Sequence, residues 1–496
     1  MASRILQDAW DYEAETEKKI RKEERPGFHL SSRVGWMNDP NGFSFYKGEY
    51  HLFYQYYPYD VHWGPMHWGH AVSRDLLHWR YEKCAMAPDM EFDKGGCFSG
   101  SAVTLPDGRH LLLYTGVIKE TQPDGSVRDI QTQCAAVGDG IEYAKYPENP
   151  VITEKNLPAG SSRYDFRDPK IWRKADGSYR LVAGGCTVEG DGQILLYSSP
   201  DGVQWQYEKI LMANNGRFGR MWECPDFFVL DGYGVLLASP TDMLPEDLEY
   251  YNGNGTLCLI GAYEEETDTF KQQYDQAIDH GLDFYAPQTM EAPDGRRIMV
   301  GWMQNWDTCN QHVSGLPWCG QMSLPRELSI VNKRLIQRPV RELENLHGAQ
   351  VKYENVVLSD GIRLEGIRGR KVDMEISLRP GKEGNGYRKF TLYFAQDAVY
   401  HTAVRFYPED SVVELDRAFA GSRRAVVHQC RTRVQSSGGK VKLRIILDSF
   451  SAEVFINDGE KVMSAMFYTD LSADDISFAA DGQAVMDIVK YDLCEM

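Results

Sequence analysis

Along the first two thirds of the chain one alternation returns five times: a short polar turn carrying glycine, then a run of apolar and aromatic residues. The five segments are "YKGEYHLFYQ", "LPDGRHLLLYTG", "KADGSYRLVAGG", "LDGYGVLLASP" and "APDGRRIMVGWM". Each reads as the centre of a β-hairpin, because glycine supplies the turn and the apolar run a largely buried strand. The turn glycines are Gly48, Gly108, Gly177, Gly232 and Gly295, spaced 55 to 69 residues apart. A second pair, "AVSRDLLHW" (71–79) and "YSSPDGVQW" (197–205), runs strand, Ser-x-Asp turn and Trp. Some sixty residues of turns and β formers suit one four-stranded sheet. Five such sheets set radially make a five-bladed β-propeller, which leaves few strand edges open.

Beyond "LIQRPVRELENLHG" (335–348) this period stops, and alternating segments such as "VKLRIILDSFSAEVFIND" take over. Alternation with short polar turns predicts a β-sandwich of two packed sheets. With 496 residues the chain is too long for one ordinary core. The expected organisation is all-β: a charged helical extension over 1–27, the propeller over 28–337, a linker over 338–347 and the sandwich over 348–496. The opening "MASRILQDAWDYEAETEKKIRKEERPG" has no apolar signal core and reads as a solvated helix ending before Pro26.

Counting back nine residues from each turn glycine gives Asp39, Ser99, Asp168, Glu223 and Ala286. Three of these five equivalent places hold a carboxylate, in "NDP", "RDP" and "ECP". The first strand of each propeller blade lines the central channel, so the three acids converge on one mouth of it. Taken singly, each acid could simply satisfy loop amides at a strand end. Converging carboxylates repel, however, and their recurrence at matching positions favours a site: a metal centre, or glycoside cleavage by a nucleophile or base and an acid. His62, His67 and His70 fit no standard metal-ligand spacing and read as aromatic packing. Trp63 and Trp68 suit either core packing or stacking on a sugar ring. Phe98 and Ser99 share the strand position of the acids. Gln55 is polar inside an aromatic run, where an apolar residue would be easier to bury.

Composition narrows the partners. Hydrophobic residues make up 42% and charged ones 25%, as in soluble globular proteins. Against 54 Lys and Arg stand 72 Asp and Glu, a net charge of −18. That balance argues against nucleic acid or an anionic membrane as a partner, and leaves room for a local basic pocket facing an anionic substrate. No run approaches the ~18 apolar residues of a membrane span. The ten cysteines are scattered without a C-x-x-C pair, so reduced thiols and a cytoplasmic location are expected. No phosphate loop, dinucleotide fingerprint or serine-nucleophile elbow appears. The oligomeric state is left open.

The motifs "WMNDPNG", "FYQYYP", "HWGH", "LLHW", "FSGS", "FRDPK" and "WECPD" stand in the order found in glycoside hydrolase family 32. The chain resembles that family over 28–496, including "SAEVFINDGE" in the sandwich. The resemblance implies a five-bladed propeller with an appended β-sandwich and a retaining β-fructofuranosidase that needs no cofactor or metal. Its substrate would be a small sugar: sucrose, sucrose 6-phosphate or a short fructo-oligosaccharide. Asp39 matches the family's nucleophile, Glu223 its acid/base and Asp168 its transition-state stabiliser. Asn38, Gln55, Trp63, Phe98, Ser99 and Arg167 match positions lining the fructose pocket, with Arg167 expected to keep Asp168 ionised. Two rival readings are an inverting furanosidase of the arabinan or xylan type and a non-catalytic sugar-binding propeller.

Overall fold

The computed structural model describes residues 2–309, 315–381, 386–421 and 427–494. Five sheets form the propeller, four of them four-stranded and the first extended to five by a strand from later in the chain. Their innermost strands are Gly35–Tyr46, Gly96–Thr104, Ser161–Arg173, Trp222–Leu230 and Tyr285–Glu291, and these pack against one another in a closed ring. All five predicted turn glycines lie in the left-handed region, with φ from 80° to 90°. A side chain there would be strained, which is why the turns recur with glycine. The ring is sealed by a short strand, Trp318–Cys319, which leaves the fifth blade's region to pair in parallel with Gly35 and Trp36 of the first.

The sandwich packs a six-stranded sheet on a five-stranded one. Its core is an aliphatic and aromatic layer that includes Met374, Phe390, Phe406, Ile445 and Phe478. It is joined to the propeller by buried charge. Arg326 of the fifth blade is fully buried and bonds Glu453 of the sandwich through Nε (3.0 Å) and Asp279 through Nη1 (3.0 Å). Glu453 also receives His29 Nε2 at 3.0 Å, while His29 Nδ1 lies 2.8 Å from Asp448. Burial opposes the charge on His29, but the two carboxylates prevail and raise its pKa to about 9.

The N-terminal segment departs from expectation. It forms a helix, Arg4–Glu17, capped by Ser3, but it is docked rather than solvated: Leu6, Ala9, Glu13 and Thr16 are buried along one face. Trp10 Nε1 donates to the Cys84 carbonyl at 2.8 Å, and Arg33 reaches Glu13 (3.3 Å) and Glu17 (2.7 Å). The buried stripe contains a carboxylate, so its pattern resembled a surface helix. Burial raises the Glu13 pKa to about 7, against the pull of Arg33. No described helix is long and apolar enough to cross a membrane.

Candidate active site

Each inner strand breaks register at the same height. The breaks fall between Met37 and Pro40, Phe98 and Gly100, Arg167 and Lys170, Glu223 and Asp226, and Tyr285 and Gln288. An extra residue at such a bulge bends the strand and re-aims its side chains, here into the channel mouth. Asp168, Cys224 and Ala286 take left-handed φ values of 63°, 48° and 51°. Non-glycine residues held there concentrate at functional sites.

This geometry corrects the count from the glycines. Glu223 is the last paired residue before its break, as Arg167 and Tyr285 are before theirs. Cys224, not Glu223, therefore takes the place of Asp168 and Ala286. The fourth blade's hairpin turns in two residues, Leu230 pairing with Tyr233, whereas the third and fifth use three, between Lys174 and Ser178 and between Ala292 and Arg296. Counting from glycine consequently slips by one. The longer glutamate side chain still reaches the cavity.

Asp39 is buried and held by donors. Its Oδ2 accepts from Ser99 Oγ (2.7 Å) and lies 3.4 Å from Cys224 Sγ, and its Oδ1 accepts from Asn38 Nδ2 (3.1 Å). Trp36 Nε1 in turn fixes Asn38 Oδ1 at 2.8 Å. Burial raises the Asp39 pKa and the charge of Glu223 adds to this, while the Ser99, Asn38 and Cys224 donors oppose it. Asp168 Oδ2 accepts the Cys224 backbone N–H at 2.9 Å, and the Asp168 N–H donates to Thr115 Oγ1 at 3.0 Å. Its pKa is raised by burial and by the Glu223 and Asp39 charges, against Arg167. The Cys224 thiol lies between both aspartates, 3.6 Å from Asp168 Oδ2. Burial and the surrounding carboxylates push its pKa up, so it stays a thiol and a donor.

Glu223 sits in a different environment. Its Oε1 accepts from Arg167 Nη2 (2.7 Å) and Nε (3.1 Å), and its Oε2 lies 2.6 Å from the Tyr285 hydroxyl. Arg167 thus bonds Glu223 and acts on Asp168 through its field, which lowers the Asp168 pKa as expected, although burial outweighs it. Tyr285 OH also lies 3.0 Å from the Ser239 carbonyl. A phenol has one proton to give. It can donate to an ionised Glu223, or turn to Ser239 and accept from a protonated one, so both protonation states of Glu223 are accommodated.

All nine sequence candidates line one cavity of about 570 Å³: Asn38, Asp39, Gln55, Trp63, Phe98, Ser99, Arg167, Asp168 and Glu223. Trp63 is 45% exposed and sets its edge toward the Phe98 ring. Trp68 is elsewhere, fully buried with its Nε1 on the Phe98 carbonyl, and so belongs to the core. The histidines do not gather: His62 lies exposed against Asp60, His67 is buried beside Tyr57 and Tyr59, and His70 Nε2 faces His51 Nδ1 at 3.0 Å. Sequence reasoning missed Gln131, Tyr164 and Trp306 in the cavity wall and Tyr285 beneath it. Gln131 lies on Val127–Gly138, which pairs with the equally long His110–Thr121; Trp306 lies in "GWMQNWD", after the strand Arg297–Trp302.

Comparison with known proteins agrees with this geometry. The family model for the glycosyl hydrolases family 32 N-terminal domain matches residues 29–339, and that for the family's C-terminal domain matches 342–493. A sucrose-6-phosphate hydrolase and a raffinose invertase, both of Escherichia coli, are each 37% identical to the chain, with 93% of either chain covered. A solved β-fructofuranosidase of Bombyx mori in complex with sucrose superposes with a TM-score of 0.84 at 33% identity, covering 100% of this chain and 99% of its own.

Proposed function

The chain belongs to glycoside hydrolase family 32, and from that premise we propose how its cavity cleaves a fructoside. The protein is a β-fructofuranosidase acting on sucrose and related sugars. In our reading it removes the terminal non-reducing fructosyl unit of sucrose, sucrose 6-phosphate or a short fructo-oligosaccharide with retention of configuration. Asp39 attacks the anomeric carbon. The bond to the leaving oxygen breaks, its electron pair stays on that oxygen, and Glu223 supplies the proton. Asp168 grips the fructose hydroxyls and stabilises the oxocarbenium-like charge. In the second half, Glu223 takes a proton from water, whose oxygen bonds the anomeric carbon and releases Asp39.

One observation carries this assignment: the two acids stand in unlike surroundings. Asp39 accepts from three side chains, donors that stabilise its carboxylate against the rise in pKa caused by burial and the Glu223 charge. Glu223 faces a hydroxyl that serves either protonation state, as a group alternating between acid and base requires. Trp63 and Phe98 crowd the wall, which supports exo-action on one fructose at a time. Early digests of kestose or inulin are expected to show free fructose first, released as the β-anomer by NMR on fresh product. Internal oligomers appearing ahead of fructose, or inverted product, would refute the reading.

We place the enzyme in the cytoplasm. Supporting this, no disulfide links the ten cysteines, and all but the partly buried Cys224 and exposed Cys494 are buried. Thiol titration of denatured protein without reductant should count ten; several protected pairs would contradict it.

A further inference from the structure

The cavity's rim carries a cation that the chemistry above does not use. Arg128 lines it together with Tyr164, and its guanidinium lies over the Tyr164 ring at 4.9 Å. Arg163 stacks on the same ring at 5.0 Å. Glu120 stands opposite Arg128 in strand register, and Asp124 at the hairpin's turn also feels the Arg128 charge. The Glu120 Oε2 is already taken by Arg163 Nη2 at 2.6 Å and Gln122 Nε2 at 2.7 Å. Among the described residues, none of the ion pairs includes Arg128, whereas Arg163 is paired with Glu120. Of the other rim acids, Asp165 accepts from Ser162 and lies 3.7 Å from Arg167, and Asp129 stands in strand register opposite Lys119 without an ion pair to it among the described residues. A guanidinium stacked on an aromatic face keeps its in-plane fork of donors free, the geometry that suits a phosphate.

The position of this cation relative to the acid gives it meaning. Glu223, which protonates the leaving oxygen, bonds Arg167; Arg167 Nη1 bonds Gln131 Oε1 at 3.1 Å; and Gln131 lies on the same strand as Arg128. That path leads from the acid to Arg128 along the wall of the same cavity. We propose that Arg128, oriented by Tyr164, binds a phosphate carried by the leaving sugar, and that the enzyme favours sucrose phosphorylated on its glucose over sucrose itself.

This inference rests on the β-fructofuranosidase reading, and the two come apart in one experiment. kcat/KM is measured for sucrose and sucrose 6-phosphate with the wild type, Arg128→Gln and Glu120→Gln. The wild type should prefer the phosphorylated sugar by at least about tenfold, the scale of a charge-assisted hydrogen bond. Arg128→Gln should lower the ratio of the two kcat/KM values by about ten- to a hundredfold. Glu120→Gln, which removes the carboxylate opposite Arg128 in register, should raise that ratio. Glucose 6-phosphate should inhibit the wild type more strongly than glucose, with the difference reduced in Arg128→Gln. Equal rates on both sugars by the wild type, or a ratio unmoved by either substitution, would overturn the role of Arg128 while leaving the fructosidase reading intact. No fructose from either sugar would defeat both.

Discussion

Asp39→Ala is expected to abolish fructoside hydrolysis whatever the leaving group, whereas Glu223→Ala should fail on sucrose and recover on an activated fructoside. Without Asp39 no covalent fructosyl-enzyme forms, so a better leaving group has nothing to leave from. Without Glu223 the nucleophile keeps its Ser99 and Asn38 donors, but the leaving oxygen departs without a proton. General acid–base catalysis contributes about 10²- to 10⁴-fold, which sets the expected loss on sucrose. On a fructoside whose leaving group needs no proton, the first step should be nearly restored. Azide, no longer repelled by the missing carboxylate, should then capture the fructosyl-enzyme and yield a fructosyl azide of retained configuration. That product is expected from the Glu223 variant alone. A retained azide product from the Asp39 variant, with none from the Glu223 variant, would show that the two roles are assigned the wrong way round.

Arg326→Met should cost about 3–5 kcal/mol of stability, the usual loss when one partner of a buried ion pair is removed. The substitution leaves Glu453 and Asp279 buried at the joint between propeller and sandwich without their shared cation. Adding Glu453→Gln should recover part of the loss, because one uncompensated charge goes with it. His29 gives the same joint a pH dependence. Its folded pKa, raised to about 9, exceeds the ordinary 6.5. The contribution of His29 is therefore fully present below pH 6.5 and is lost as pH rises through about 9. Urea midpoints taken across that window should fall in the wild type and fall less in His29→Gln. A midpoint for Arg326→Met within the range of ordinary surface substitutions would show that the joint does not depend on this network.

Much of the site was readable before the fold, because its signals are local. The turn glycines and the apolar runs after them each lie within a dozen residues, so their recurrence revealed the propeller. The recurrence of Asp-Pro nine residues upstream marked Asp39 and Asp168 as channel groups. The same count of nine reached Glu223 and Ser99, the motif match gave the acids their roles and named six wall positions, and all nine residues line one cavity. What the chain hid were choices between partners. Beside Arg167 in sequence stands Asp168, yet its hydrogen bonds go to Glu223, 56 residues away. Tyr285 reaches Glu223 across 62 residues, with nothing in "FYAPQ" to announce it. A helix with a carboxylate in its buried stripe reads as solvated until Arg33 is seen against Glu13. By itself, the sequence determined the period, the strands, the turns and which residue types face the channel, since φ preference and alternation are properties of a few neighbouring residues. Only the tertiary structure decided which donor meets which acid, that Cys224 rather than Glu223 takes the bulged place, and that Arg128 stands at the cavity rim over the Tyr164 ring. Those outcomes depend on distances between blades and on a one-residue difference in hairpin length.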